Sequence, residues 1–181
     1  HPCKPGFCAL LTPGNDYVGG DDFFAADSKL RKVVADDEFE KLRAGKVSVG
    51  KDHIVPAGLR RALACFFLGC AQKYSEGLEM ESFSFLAHVD MTRVRHQHLC
   101  EVIDQHVSWL DRSLRGQLSK SDQQQAGGEL KDAWKEISHT AKSLRPLTEL
   151  RDYVEQTLRN VRTEVINSES DAKELRYRVG L

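Results

Sequence analysis

The chain has 181 residues, of which 40% are hydrophobic and 29% are charged, and its formal net charge is −1 at pH 7. This length allows one sizeable hydrophobic core, and the near-neutral charge excludes nucleic-acid binding by a global basic field, so any such contact must come from a local patch. The five cysteines are odd in number and scattered, which favours a reducing, cytoplasmic environment over a disulfide framework.

Residues 1–55 predict a loop-rich amino-terminal arm, because glycine and proline punctuate this part of the chain. Within the arm we expect a brief strand from Phe7 to Leu11 and a short helix from Asp36 to Arg43, whose acidic first turn suits the helix dipole. The chain begins with His1 and no apolar signal segment follows. We therefore expect a piece excised from a longer polypeptide that acts in the cytoplasm.

The pattern becomes regular at Pro56, a residue typical of helix starts. Apolar residues then recur at spacings of three and four and predict a mostly buried helix: Leu59, Leu63, Phe66, Cys70 and Tyr74. The apolar run in this helix, Ala62 to Ala71, is far shorter than the roughly 20 residues that span a bilayer. We therefore expect no membrane partner.

The most apolar short run is Phe83 to Asp90, and it predicts a buried parallel strand. A helix follows from Arg93, with Thr92 as a suitable N-cap. This strand and helix indicate an α/β fold. We expect Phe66 and Phe85 to be almost completely buried.

The rest of the chain predicts more helices. The helix from Arg93 should reach about Gly116, because one apolar stripe runs along it: Leu99, Ile103, His106, Leu110 and Leu114. The polar stretch Gln117 to Gly128 predicts an exposed loop. Beyond it we expect helices from Glu129 to about Leu144 and from Thr148 to about Val161, and then a second short strand, Thr163 to Asn167.

Catalytic motifs are missing from the sequence. It contains neither a Gly-x-x-x-x-Gly-Lys-Ser/Thr phosphate loop nor a nucleophile elbow. The cysteine pairs have the wrong spacing for a zinc knuckle, and His96, His98 and His106 point to different sides of their helix. Asp36 and its acidic neighbours could follow a magnesium-binding strand, but a helix cap explains Asp36 as well. We expect no catalytic residue, metal or cofactor site in this chain.

One local basic segment is the candidate binding site. Arg93 and Arg95 lie in the first turn of a helix, where positive charge opposes the helix dipole. An anion bound at that turn would explain their placement, and an ordinary solvated helix face would also accommodate them. His88 lies at the carboxyl end of the predicted strand, the edge at which open α/β sheets bind ligands.

Four segments in the expected order resemble the Z1 (Z-one) domain family of bacterial endonuclease-associated proteins and restriction-system helicase subunits. The most specific segment runs from Leu11 to Phe24 and contains Pro-Gly-x-x-Tyr-x-Gly-Gly followed by Phe-Phe. The others are Ile54 to Leu63, Phe85 to Asp90 and Val165 to Ser168. The resemblance covers nearly the whole chain.

The resemblance implies that residues 56–181 form an incomplete second RecA-like lobe, a P-loop-NTPase-type fold, of a superfamily-two helicase-like motor, with a helical insertion at about 115–160. In that setting the parent protein would couple ATP turnover to movement on DNA in restriction of foreign DNA. ATP and Mg would bind in the first RecA-like lobe, in cis. This chain would contribute contacts to the DNA phosphate backbone from His88, Thr92, Arg93 and Arg95.

An alternative interpretation is a helical protein-interaction module. In that case the polar Gln117 to Gly128 segment and its flanking helices would dock a nuclease or another partner subunit. Salt-dependent DNA affinity would favour the first interpretation. A stable complex with the nuclease in the absence of DNA would favour the second.

Overall fold

A computed structural model describes residues 24–28, 34–43, 55–78, 81–88, 93–141 and 143–166. The chain divides into two compact units, His1–Val33 and Val34–Leu181. In the first unit, the described residues contain a turn closed by a hydrogen bond from the Ser28 N–H to the Ala25 carbonyl. The predicted strand from Phe7 to Leu11 lies outside the described residues, as does the Pro-Gly-x-x-Tyr-x-Gly-Gly segment.

Five helices make up the regular structure of the described part of the second unit. They are α1 (Asp36–Arg43), α2 (Ala57–Ser75), α3 (Arg93–Leu114), α4 (Lys120–Ser138) and α5 (Leu147–Asn160). α2 packs against both α4 and α5, and α3 packs against the same two helices. α2 and α3 therefore occupy opposite corners of a four-helix arrangement.

The core lies between these four helices. α2 contributes a face centred on Phe67 and Leu68, which are 1% and 0% exposed. α5 contributes Leu150, Val154 and Leu158, and α4 contributes small residues that let its neighbours approach, Ala126 and Ala133, together with Leu130. The predicted stripe on α3 is confirmed, since all five of its members are buried: Leu99, Ile103, His106, Leu110 and Leu114.

The beginning of α2 depends on a residue from α1. Pro56 occupies the N-cap position of α2, where its side chain makes no capping hydrogen bond. The carboxylate of Glu38 accepts a 2.8 Å hydrogen bond from the Gly58 N–H instead, and thereby satisfies one of the unpaired donors of the first turn. A Cβ atom at position 58 would lie 2.9 Å from Cγ1 of Val34, so a larger residue here would force the Val34 side chain to shift.

The loop between α4 and α5 is fastened to the end of α2. The side-chain carbonyl of Gln72 accepts from the Arg145 N–H at 2.9 Å, and the Arg145 carbonyl accepts from Trp134 Nε1 at 2.8 Å. A further link joins α5 to α3, because Arg151 of α5 donates to the Leu114 carbonyl at 2.8 Å. This guanidinium caps the carboxyl end of α3, where a positive charge suits the helix dipole.

The expected α/β fold with a parallel-stranded RecA-like lobe is wrong, because the described residues form helices and contain no strand. Residues 83–88 pack on α2 instead of in a sheet. The Phe83 ring lies 5.8 Å from that of Tyr74, and the Phe85 ring lies 5.5 Å from that of Phe66. A short apolar run does not distinguish a buried strand from a segment that covers a helix. Residues 163–166, the described part of the second predicted strand, are also irregular.

Two further expectations are corrected. Phe66 is only partly buried, because the neighbouring Phe67 faces the core, and Phe85, which packs on Phe66, is 37% exposed. The predicted loop from Gln117 to Gly128 is mostly the first half of α4. Ser119 caps this helix by accepting from the Asp122 N–H at 3.1 Å, and Ala126 turns into the core. α4 and α5 supply half of the four-helix arrangement.

Candidate nucleic-acid interface

The amino-terminal end of α3 carries most of the residues that the sequence singled out. α3 begins at Arg93, as predicted, and its first turn contains no acidic residue. Arg93 is exposed and Arg95 is partly buried. Since the first turn of a helix presents unpaired N–H groups and the positive end of the dipole, the two guanidinium groups add to an already positive position.

His88 is brought to this helix end by the chain that precedes α3. Its ring centroid lies 5.3 Å from that of His96, with the ring planes tilted by 59°. The contact places the end of the 81–88 segment against the first turns of α3. We refer to His88, Arg93, Arg95 and His96 as the basic cluster.

Thr92 lies outside the described residues, so its predicted capping role stays a prediction. His98, close to the basic cluster in sequence, is partly buried and its Nε2 makes no hydrogen bond to the described residues. Val94, between the two arginines, is 80% exposed. The helix end therefore presents an apolar side chain flanked in sequence by basic ones.

The basic cluster suits anion binding better than proton-transfer or nucleophilic chemistry. Guanidinium groups stay protonated and donate hydrogen bonds in a fork that matches phosphate oxygens. The nearest thiol on α3 is Cys100, and burial, followed by the nearby charges of Asp104 and Glu101, raises its pKa. A thiol held in its protonated form is a poor nucleophile. Among the described residues, no group of three or more metal-ligating side chains converges.

A second polar arrangement lies inside the helical bundle, and the sequence did not predict it. Arg60 of α2 donates to Oε1 of Glu129 of α4 at 2.5 Å. The other carboxylate oxygen, Oε2, lies 3.8 Å from Nε2 of His106, a side chain that is 1% exposed. We call this arrangement, with Trp109 and Asp122, the polar seam.

The seam continues toward the start of α4. The rings of His106 and Trp109 stack with their centroids 5.5 Å apart, and Trp109 Nε1 donates to Asp122 at 3.0 Å. Asp122 and Glu129 are seven residues apart, so they share the face of α4 that also carries the buried Ala126. The seven-residue spacing is visible in the sequence. It indicates a shared face only if residues 120–128 are helical, and the sequence analysis predicted a loop there.

The polar seam holds three helices in register, and it does not form an open binding site. Its central side chain, His106, is enclosed, and the side chains of Arg60 and Glu129 are 25% and 15% exposed. Outside the seam, Arg61 also pairs with Glu136 and adds a second link between α2 and α4. The candidate interface is therefore the basic cluster.

A family model for the Z1 domain matches residues 58–180. The chain belongs to the Z1 domain family. The match begins at the second residue of α2 and includes α3, α4 and α5, so the helical bundle is the structure of the matched part as far as it is described. No curated protein and no solved structure matches the chain. Among the described residues, no helix is long and apolar enough to cross a membrane.

Proposed function

We propose that this Z1 domain is a helical module that contacts the DNA phosphate backbone on behalf of a larger ATP-dependent restriction protein in the bacterial cytoplasm. The observation that carries the proposal is the basic cluster, where His88 packs on His96 beside the two arginines of the first turn of α3. In this proposal ATP and Mg bind elsewhere in the parent polypeptide. The domain supplies binding, and the rest of the protein supplies catalysis and movement.

The local charge supports this role although the whole chain is nearly neutral. Residues 93–98 read Arg-Val-Arg-His-Gln-His and contain no carboxylate. Electrostatic attraction to phosphate acts over about one Debye length, roughly 8 Å at physiological salt, so a cluster of this size can bind without a global basic field. Helix N–H groups and guanidinium groups are also common phosphate partners in protein–DNA complexes.

The test is the affinity of the purified chain for duplexes of unrelated sequence. Arg93→Ala with Arg95→Ala should weaken binding to every duplex to a similar extent, because phosphate contacts carry no base information. The matched control is Arg112→Ala with Arg159→Ala, which removes the same charge from exposed positions in the last turns of α3 and α5. Equal loss of affinity in both double variants would contradict a specific role for the basic cluster.

A second candidate function is docking of a nuclease or partner subunit. It is favoured by the exposure of Val94, which is 80% exposed, since large apolar side chains in such positions are common at interfaces between proteins. Val94→Ser removes the apolar contact and leaves the charge unchanged. If the domain is an interaction module, this variant should lose affinity for the purified nuclease subunit and keep its affinity for DNA. Unchanged affinity for the nuclease subunit together with reduced affinity for DNA would instead support DNA contact as the function of this surface.

A further inference from the structure

Residues 82–88 lie over α2, and alternate side chains contact that helix. Phe83 and Phe85 contact Tyr74 and Phe66 of α2, and Ala87 packs against the core. The intervening side chains are exposed, and we call them the outward row: Ser84, Leu86 and His88. Leu86 is 87% exposed, the highest value among the large hydrophobic side chains of the described residues.

The outward row ends in the basic cluster. His88 belongs to both, and its ring contacts that of His96 in the first turns of α3. Arg93 precedes His96 by three residues and therefore lies on the same side of α3. An exposed apolar side chain and an imidazole ring thus continue directly into a positively charged helix end.

We propose that the DNA bound at the basic cluster is single-stranded, with unpaired bases packed on Leu86 and His88. This inference rests on the proposed function, since it names the form of DNA that the same site takes. Arg93, Arg95 and the amino terminus of α3 hold the phosphates, and the outward row receives the bases.

Charge complementarity favours nucleic acid as the occupant of the outward row. The basic cluster adjoins the row at His88, and Glu81, the nearest described carboxylate in the segment, precedes the row at its other end. A polyanion therefore meets basic side chains at the end of the row.

The exposed apolar side chains favour a single strand over a duplex. In a duplex the base faces are stacked inside, so a protein contacts phosphates and the edges of the bases in the grooves. Leu86 would bury little apolar surface against a duplex. A single strand exposes its base faces, and proteins bind these with aromatic side chains, histidine included, next to basic groups that follow the backbone.

The experiment measures the affinity of the full chain for three labelled probes by fluorescence anisotropy. The probes are a mixed-sequence single strand, the same strand in a duplex, and a strand of equal length with abasic positions in place of bases. The intact single strand should bind about tenfold more tightly than either of the others, because only it offers unstacked base faces.

Two variants test the residues of the outward row. Leu86→Ser changes no charge and should weaken single-strand binding about tenfold while leaving duplex binding unchanged. His88→Phe keeps an aromatic ring and removes the imidazole nitrogens, so it should retain single-strand affinity if the ring stacks on a base. The matched control is Ile166→Ser, since Ile166 is 50% exposed and belongs neither to the outward row nor to the basic cluster.

The outcomes separate this inference from the proposed function. Equal affinity for the intact single strand and the abasic strand, or for the single strand and the duplex, overturns the inference and leaves phosphate contact in place. Equal single-strand affinities of Leu86→Ser and Ile166→Ser would also overturn the inference and leave phosphate contact in place. Failure to bind all three probes contradicts both proposals. Loss of nuclease-subunit binding in Leu86→Ser, with unchanged affinity for every probe, would assign the outward row to a protein partner and overturn the inference.

Discussion

Arg60 and Glu129 form the central ion pair of the polar seam, with Nη1 of the guanidinium 2.5 Å from Oε1 of the carboxylate. The pair joins α2 to α4, and the second carboxylate oxygen faces His106 of α3 at 3.8 Å. One carboxylate thus faces basic side chains from two different helices. Removing it would leave both without this partner in a poorly hydrated site.

We expect Glu129→Ala to lower the free energy of unfolding by about 2 to 3 kcal/mol, because breaking one partner of a largely buried pair leaves an uncompensated charge. The control is Glu149→Ala, since Glu149 pairs with Arg145 at 3.7 Å with both side chains about half exposed. That exposed pair should contribute less than about 1 kcal/mol. Urea denaturation measures both values, and similar values for the two variants would contradict a structural role for the seam.

Phe67 and Phe66 should differ sharply in their contribution to stability. Phe67 is 1% exposed and central to the buried face of α2, so Phe67→Ala should cost about 3 to 5 kcal/mol. Phe66→Ala should cost about half as much, because the ring is partly exposed and lies beneath Phe85. Denaturant unfolding of the two variants compares them directly, and a larger loss for Phe66→Ala would reverse our assignment of the core face.

This pair of residues shows how far the sequence determines the fold. The period of three and four residues predicted α2, and the stripe on α3 from Leu99 to Leu114 was predicted correctly because polar and charged residues separate its members. α2 is apolar on most sides, so periodicity located the helix but not the face that meets the core. Burial of Phe67 in place of Phe66 depends on how the other helices pack against α2.

The predicted strand failed for a related reason. Phe83, Phe85 and Ala87 do alternate with exposed residues, but a strand in a sheet also needs a partner, and α2 takes that place in the described structure. For the candidate site, the sequence pattern located the start of α3 at Arg93. The contact between His88 and His96 was not predictable, because it depends on the path of the chain over α2 and α3.

Glycines inside α4 should be replaceable with a gain in stability. Nothing lies within 4 Å of a Cβ built on Gly127 or Gly128, and both are exposed within the helix. Alanine at each position should raise the free energy of unfolding by about 0.5 to 1 kcal/mol, because glycine loses more backbone entropy on folding.

Gly116 provides the opposite control for this prediction. It has a φ of +71°, a conformation that alanine rarely adopts, so Gly116→Ala should destabilise the chain. Thermal unfolding followed by circular dichroism distinguishes the two outcomes. A loss of stability in Gly127→Ala would show that α4 is not helical at that point.

Stability should fall at alkaline pH because of Cys70. Burial raises the pKa of its thiol from 9.0 to about 11. Above pH 9 the unfolded chain releases this proton while the folded chain retains it, so the unfolded state is favoured progressively up to about pH 11. In Cys70→Ala, the decline of unfolding free energy between these two pH values should be shallower than in the wild-type chain. An identical decline in both proteins would show that this thiol is not responsible.

The basic cluster should contribute measurably to the salt dependence of DNA binding. Each phosphate contact that a protein makes releases condensed counterions, so the slope of log affinity against log salt reports the number of contacts. Arg93→Ala with Arg95→Ala should flatten that slope by roughly one to two units. Fluorescence anisotropy with one labelled duplex at several salt concentrations gives the slope, and Arg112→Ala with Arg159→Ala should leave it close to the wild-type value. If the slope and the affinity are both unchanged in the Arg93→Ala, Arg95→Ala variant, the two arginines do not contact phosphate and belong to an ordinary solvated helix face.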